Sequence, residues 1–438
     1  MPKLPKAKVF PVTAEINEAD HLVIGGADVL ELAQEYGTPL YVYDEATLLS
    51  AANAFKSAFE SRYSDSIVAY ASKAFINLGF ARLLAEAKLG FDVVSGGEMA
   101  VVQAAGVPKE NVHFHGNNKT PQELEEAVQW GIGRIVIDSF HEIEILEEIA
   151  ASANLEQSVL IRVSPGVDPH THSHTTTGIL DSKFGFPIET GQAQEAVRRT
   201  INSPHLNLQG LHFHLGSPIF ELEPYTQAID IVLRFAKEMG EEGLILNEFS
   251  PGGGFAIAYT DEDEPPTAAD YAEAIVSALR KGCKDLDLAE PTLIIEPGRA
   301  ISGPAAVALY TVGTIKEVPG IRTFVAVDGG MGDNIRPALY DSKYEAIVAN
   351  RASQPSTQMV TIAGKYCESG DILVKDAQIP FVKAGDIIAI PASGAYSPSM
   401  ASTYNLNGRP PILLVSNGKA RLVRRRETYA DLMLADVN

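Results

Sequence analysis

The sequence predicts an α/β protein: a (β/α)8 barrel plus a C-terminal antiparallel β domain completed by N-terminal strands. Three observations predict it. Between about residues 65 and 300, eight short apolar, β-branched runs alternate with stretches of helical spacing. Beyond residue 305 the long helical patterns stop, and short strands separated by Gly, Pro and Asn take over. The first 43 residues hold further strand-like runs. Strands that alternate with helices form a parallel sheet covered on both faces, and eight of them over ~250 residues match the usual closed barrel. An open doubly wound sheet is the alternative to closure.

The elements follow in order. Residues 1–43 contribute KVFPVTAEI and PLYVYD, strands that join the β domain; 44–303 form the barrel; 304–438 form the C-terminal β domain. EATLLSAANAFKSAFE (45–60) reads as the helix covering the first seam. The barrel strands are SIVAYAS (66–72), FDVVS (91–95), NVHFH (111–115), RIVID (134–138), SVLIRV (158–163), LQGLHFH (208–214), LILNEFS (244–250) and TLIIE (292–296). Helical spacing marks 78–90, 121–131, 141–153 and 271–282. Thr120 fits an N-cap, Pro121 the first turn, and Glu123 the third position of a capping box. The β domain follows in AAVALYTVGTIKEV, RTFVAVDGG, QMVTIAG, DIIAIPA, PILLVS and ARLVRR. TDEDEPPTAAD (260–270) reads as a solvated loop.

Composition narrows the function. Of 438 residues, 45% are apolar and 21% charged, as in ordinary globular proteins, and the formal net charge is −21. That charge argues against nucleic-acid binding and against docking on an anionic membrane, but not against a small phosphorylated cofactor. No apolar run is long enough to span a bilayer, and the N-terminus lacks a signal-peptide pattern. The two cysteines, Cys283 and Cys367, fit a reducing, cytoplasmic compartment.

The chemistry-bearing residues gather where barrel strands end, which is where barrel active sites form. Lys73 follows the first strand, Asp92 and Ser95-Gly96-Gly97 the second, His212, His214 and Ser217 the sixth, Gly252-Gly253-Gly254 the seventh, and Glu296-Pro297-Gly298-Arg299 the eighth. A lysine in a desolvated barrel mouth has a lowered pKa and condenses with aldehydes; the plainer reading is a strand-end lysine reaching solvent. The glycines offer unobstructed N–H groups to a phosphate, or make a simple turn. Glu296 suits a protonated heterocyclic nitrogen and Arg299 an anion, or the two form a rim salt bridge. His212 and His214 share a strand face, as a metal pair or as a ring packed on an aromatic cofactor. His170, His172 and His174 alternate in a polar loop. No metal ion is expected.

Together, YASKAF, FDVVSGGE, HGNNKT, SKFGF, HFHLGS, GGG, EPGR, DGGMGDNIRPALY, KYCESGD, ASGAYSPSMASTYN and GRP resemble the alanine racemase-like, fold-type III family of pyridoxal 5'-phosphate enzymes, over nearly the whole chain. HGNNKT, NIRPALY and CESGD point to its diaminopimelate-decarboxylating branch. The resemblance implies that Lys73 binds the cofactor aldehyde, His214 stacks on its ring, and Ser217 with Gly252, Gly253 and Gly254 holds its phosphate. Glu296 would pair with the pyridine nitrogen, with Gly298 and Arg299 lining the phosphate and substrate side. Arg336 and Tyr340 match substrate-binding positions. Cys367, Glu368 and Tyr396 match residues that enter from the other subunit of a homodimer, Tyr396 serving cofactor and substrate. The catalytic set so implied is Lys73, His214 and Cys367. SPGGGFAIAY departs from the family pattern, with Ser250-Pro251 where an acid is expected and Ala256 in place of a glycine.

The implied reaction is decarboxylation of meso-2,6-diaminopimelate to L-lysine and carbon dioxide, the last step of lysine biosynthesis. The rivals are a same-fold decarboxylase of another basic amino acid or of carboxynorspermidine, a racemase, a non-catalytic cofactor-binding regulator, and a metal-dependent barrel hydrolase.

Overall fold

The computed structural model describes residues 3–168 and 182–437, which form two compact units. One comprises Ala52–Ala256 and Pro265–Gly298; the other comprises Met1–Ala51, Ile257–Glu264 and Arg299–Asn438.

The first unit is a closed parallel barrel. Its strands are β1 (Ser66–Ala71), β2 (Gly90–Val93), β3 (Val112–Phe114), β4 (Arg134–Ile137), β5 (Gln157–Ser164), β6 (Leu206–His212), β7 (Glu248–Gly252) and β8 (Thr292–Ile295). Each pairs with its sequence neighbour, and β8 returns to β1 through Leu293↔Ser66, Ile294↔Ile67 and Ile295↔Val68. That last pairing removes both sheet edges and excludes the open doubly wound alternative. A two-residue strand, Phe186–Pro187, lies parallel against the end of β5. Helices precede or follow the strands, and Pro121–Trp130 begins with the expected capping box of Thr120 and Glu123.

Register decides which side chains point inward. Residues opposite each other in a parallel pair share a face, and alternate residues along a strand do too. Ala71 pairs with Asp92, Asp92 with His113, and His113 with Arg134. Arg162 pairs with His212, and His212 with Ser250. All of these therefore belong to one face, the interior. Ala69, Val136, Leu160 and Ile294 form an apolar layer on that face, each essentially inaccessible to solvent. Arg134 and Glu248, the first residues of β4 and β7, meet at the N-terminal end, where Nε donates to Oε2 over 2.8 Å. Gly210 of β6 leaves room there, since a Cβ would lie 1.8 Å from the Glu248 carbonyl oxygen.

The second unit is built on a mixed sheet. Its order is Ile372–Ile379, Gln358–Ala363, Arg322–Val327, Ala306–Val318, Leu40–Asp44, Ile412–Ser416, Lys419–Arg424, with Ile387–Ile390 also on Ala306–Val318. The N-terminal run PLYVYD sits centrally, and Leu40, Val42, Val307, Leu309, Leu413 and Val415 bury the core. The expectation of a purely antiparallel domain is refined: Leu40–Asp44 runs parallel to Ile412–Ser416, and Arg322–Val327 parallel to Gln358–Ala363. Both pairs join segments far apart in sequence, so no hairpin forces antiparallel pairing. KVFPVTAEI does not enter this sheet. Ala7–Val9 forms a 3-10 turn, and Glu15–Ile16 belongs to a separate three-stranded sheet with Leu22–Ile24 and Ala27–Asp28. Among the described residues, no helix is long and apolar enough to cross a membrane.

The Arg134–Glu248 pair lies at the end of the barrel opposite the strand C-termini and is three-quarters or more buried. Glu248→Ala is expected to destabilise the protein by about 1–3 kcal/mol, between an exposed and a fully buried pair, while leaving kcat within twofold. Urea denaturation together with steady-state kinetics checks this.

Candidate active site

Each chemical group arrives from a different strand end. Lys73 stands in the 3-10 turn Ser72–Ala74 that follows β1. Asp92 lies inside β2, His115 just beyond β3, Arg162 inside β5, His212 at the end of β6 with His214 two residues on, and Glu296 directly after β8. Lys73, His115, Arg162, His212, His214 and Glu296 line one cavity of about 620 Å3.

Glu296 organises this cavity. It is buried, and accepts hydrogen bonds from Ser250 Oγ at 2.8 Å and from His212 Nε2 at 3.2 Å; His115 Nε2 is 3.6 Å away. Burial opposes its ionisation, but His212, through its hydrogen bond, and the nearby Lys73 outweigh burial and hold the carboxyl well below the usual range. Burial pushes the His115 and His212 pKa values down, so both rings are neutral near pH 7. His212 therefore serves Glu296 as an N–H donor, which assigns its Nε2–H tautomer. Asp92 behaves oppositely. Burial, reinforced by Glu296 and opposed by Lys73, pushes its carboxyl up to about 8. Neither Asp92 oxygen has a hydrogen-bond partner among the described residues, and His115 Nε2 lies 3.8 Å from one of them. Two carboxyls in one interior thus divide, one ionised and one protonated.

The glycine run is a cradle that side chains would fill. A Cβ on Gly253 would lie 2.1 Å from the Glu296 carbonyl oxygen, and one on Gly254, at φ +104°, would lie 2.4 Å from that of Gly216. Gly253 N donates to His214 Nδ1 at 3.3 Å. The two departures from the family pattern have local roles here. Ser250 accepts from Gly252 N as well as donating to Glu296, and Ala256 N donates to the Tyr271 hydroxyl at 3.1 Å. Gly298 packs against Ala71 and Ala74, and Ser217 is exposed.

The remaining expected residues belong to the second unit. Arg299 donates to the Tyr259 hydroxyl at 2.6 Å, and Arg336 to that of Tyr344 at 2.7 Å; all four are buried. Tyr340 is exposed, as are Cys367 and Glu368. Cys367 N donates to Asn405 Oδ1 at 2.9 Å. The Tyr396 ring packs 4.7 Å from the Arg299 guanidinium carbon of its own chain. His170, His172 and His174 lie outside the described residues.

Residue patterns missed His115, Arg162, Ser250 and Tyr259. For His115 a signal was present, because NVHFH repeats the alternation of HFH. Lys119, within HGNNKT, is also more than a motif letter. Its ammonium is buried and donates to the carbonyls of Gly116 and Val136 and to Glu142, whose other oxygen accepts from Asp138 N. Asp138 in turn accepts from Gly185 N and lies 3.4 Å from Arg162.

These residues fit a pyridoxal cofactor. An ionised carboxylate, a lysine and the orphaned polar atoms of His115 and His212 line one cavity, and a glycine run closed to any Cβ packs directly behind Glu296. A barrel with that donor set defines a pyridoxal-phosphate-dependent decarboxylase. The family described as "Pyridoxal-dependent decarboxylase, pyridoxal binding domain" matches residues 45–303. The diaminopimelate decarboxylase of Bacillus subtilis is 47% identical over 426 residues, covering 97% of each chain. That of Mycobacterium tuberculosis is 41% identical, covering 98% of each. The M. jannaschii diaminopimelate decarboxylase, solved in complex with L-lysine, superposes with a TM-score of 0.92 at 36% identity over 98% of both chains. The chain belongs to the diaminopimelate decarboxylases, the lyases that release carbon dioxide from diaminopimelate and leave lysine.

The raised Asp92 pKa sets a pH dependence. The folded chain binds this proton more tightly than the unfolded chain, whose carboxyl titrates near ~3.9. Its contribution is complete below that value and is lost as pH rises through about 8. In cofactor-free protein, Asp92→Asn is therefore expected to gain stability over wild type between pH 4 and 8, by at most ~1.4 kcal/mol per pH unit. Urea melts at several pH values measure it; a constant difference contradicts the assignment.

Proposed function

We propose that the site residues act on meso-diaminopimelate as follows. Lys73 binds the cofactor aldehyde through its amine. Gly252, Gly253, Gly254 and Ser217 hold the phosphate, His214 walls the ring, and Glu296 meets the ring nitrogen. Pyridoxal phosphate supplies, when bound, a conjugated pyridinium that delocalises the electron pair left as carbon dioxide departs. The observation that carries this reading is Glu296, buried and ionised at the cavity with neutral donors around it. An ionised carboxylate keeps a proton on the ring nitrogen through a charge-assisted hydrogen bond of roughly 1.5–3 kcal/mol. Asp92, largely protonated, leaves that charge undiluted.

The reacting carbon then needs a proton, which Cys367 Sγ or Lys73 Nζ delivers. Cys367 and Glu368 are exposed on the single chain, which supports a homodimer whose subunits complete each other's sites. Glu368 pairs with the ammonium of the non-reacting end, and Arg299 and Arg336, with Tyr340 and Tyr396, take its carboxylate. A site built for those groups rejects ornithine, whose far end lacks the carboxylate. The enzyme works in the cytoplasm, in keeping with its two free thiols.

Purified protein supplied with pyridoxal phosphate and meso-diaminopimelate is expected to form lysine and carbon dioxide. Borohydride is expected to tether the cofactor to Lys73, and Lys73→Ala to lose both the tether and turnover. A tether at another residue overturns the assignment. Mixing Lys73→Ala with Cys367→Ala protein is expected to recover part of the activity; no recovery under demonstrated subunit exchange contradicts shared sites.

A further inference from the structure

Cys367 and Glu368 stand on an exposed segment of the second unit, where water could satisfy the backbone. Protein groups do so instead. Tyr366 N donates to Asp371 Oδ2 at 2.8 Å, Cys367 N to Asn405 Oδ1 at 2.9 Å, and Glu368 N to the Tyr366 carbonyl at 2.8 Å. The Cys367 carbonyl accepts from the Tyr404 hydroxyl at 3.3 Å. Both backbone polar groups of Cys367 are thus held by two adjacent residues. On the other flank, Asp371 ties the segment to the chain ahead of Arg336. Its Oδ1 accepts from Met331 N at 2.6 Å, and its carbonyl accepts from Gly364 N at 2.9 Å. The backbone is fixed on both sides while the thiol stays exposed.

The turn that holds Cys367 is strained. Asn405 lies at φ +50° and ψ +27°, and Leu406 at φ +53°. Left-handed backbone suits Asn, whose short side chain bonds locally, but it is costly for a bulky leucine. Leu406 is 70% exposed, so no core packing offsets that cost. Leu406 N donates to the Thr403 carbonyl at 2.8 Å and Asn407 N to that of Tyr404 at 3.2 Å, which closes the turn. The Tyr404 and Tyr366 rings stack at 6.0 Å and 14°, seating the turn against the cysteine segment. Strain of this kind persists where it fixes a functional group. Here its visible result is one turn that meets Cys367 twice, on its N–H and on its carbonyl.

We propose that Asn405, seconded by Tyr404, is a positioning residue for Cys367. By holding the cysteine backbone from a strained turn, it sets where the thiol stands in the site that Cys367 completes. The inference rests on the reading that Cys367 works in that site. A thiol has one rotatable bond beyond its Cα, so the placement of its backbone determines the placement of its sulfur. Two substitutions isolate the device. Glycine at 405 adopts left-handed backbone freely and removes the side-chain acceptor. Aspartate keeps an acceptor oxygen and also tolerates that backbone.

In the holoenzyme, Asn405→Gly is expected to lower kcat roughly 10- to 100-fold, the scale for a reacting group about 1 Å out of place. Asn405→Asp is expected to restore most of that loss. A double-mutant cycle with Cys367→Ala separates positioning from general damage. Once the thiol is gone, Asn405→Gly should lower kcat no further, because residues that act as a unit are not additive. Equal losses with and without the thiol overturn the proposal. So does an Asn405→Asp as slow as Asn405→Gly. If Cys367→Ala is slow while Asn405→Gly is not, the role of Asn405 fails and the reading of Cys367 stands. If Cys367→Ala keeps the wild-type kcat, the reading of Cys367 fails, and the proposal with it. Should Asn405→Gly fold poorly, Tyr404→Phe, which removes only the hydroxyl on the Cys367 carbonyl, carries the same cycle.

Discussion

A negative charge kept inside a barrel is the constraint on which this site depends. Glu296 is buried, and an isolated carboxylate there would take up a proton. It stays ionised because Ser250 and His212 donate hydrogen bonds to it and a lysine lies near. The two histidines beside it are themselves neutralised by burial. A carboxylate satisfied by neutral donors keeps its full charge for a ligand, whereas one locked to an arginine would have spent it. The shift of Asp92 in the opposite direction follows from the same economy, because two charges cannot coexist so close in so dry a place.

Packing keeps these groups in register. The Arg134–Glu248 pair ties β4 to β7 at the far end of the barrel, and an apolar layer from β1, β4, β5 and β8 separates it from the polar groups nearer the strand ends. Gly253 brings its backbone against the carbonyl of Glu296 itself, so the glycine run and the buried carboxylate are mechanically one piece. Lys119, Glu142 and Asp138 do the same for the loops after β3 and β4, reaching Arg162 in β5 through a single connected set of charges. Such buried networks are fully determined or costly, which makes them stiff.

In the second unit a buried positive charge meets aromatic neighbours: the Arg336 guanidinium lies 4.5 Å from the Tyr259 ring and 5.7 Å from the Tyr344 ring and donates to the Tyr344 hydroxyl. Ring faces attract a guanidinium without removing its charge.

Much of this was legible in the residues. Alternating strands and helices determined a barrel, Thr120 and Glu123 marked a helix start, and Lys73, the 252–254 glycines and EPGR stood out because strand ends are where unusual residues gather. The motifs then carried the family. What the chain could not declare by itself was contact. Arg162 looks like an ordinary polar letter in an apolar run, and only inter-strand register, set by hydrogen bonds between distant segments, turns it, with His212 and Ser250, to the barrel interior. Tyr259, Arg336 and Tyr344 meet although 77 residues separate the first two in the sequence. The order of residues determined the local elements, because propensity and periodicity act over a few positions. Tertiary structure alone decided which charges stay ionised, because desolvation and hydrogen bonding depend on neighbours in space.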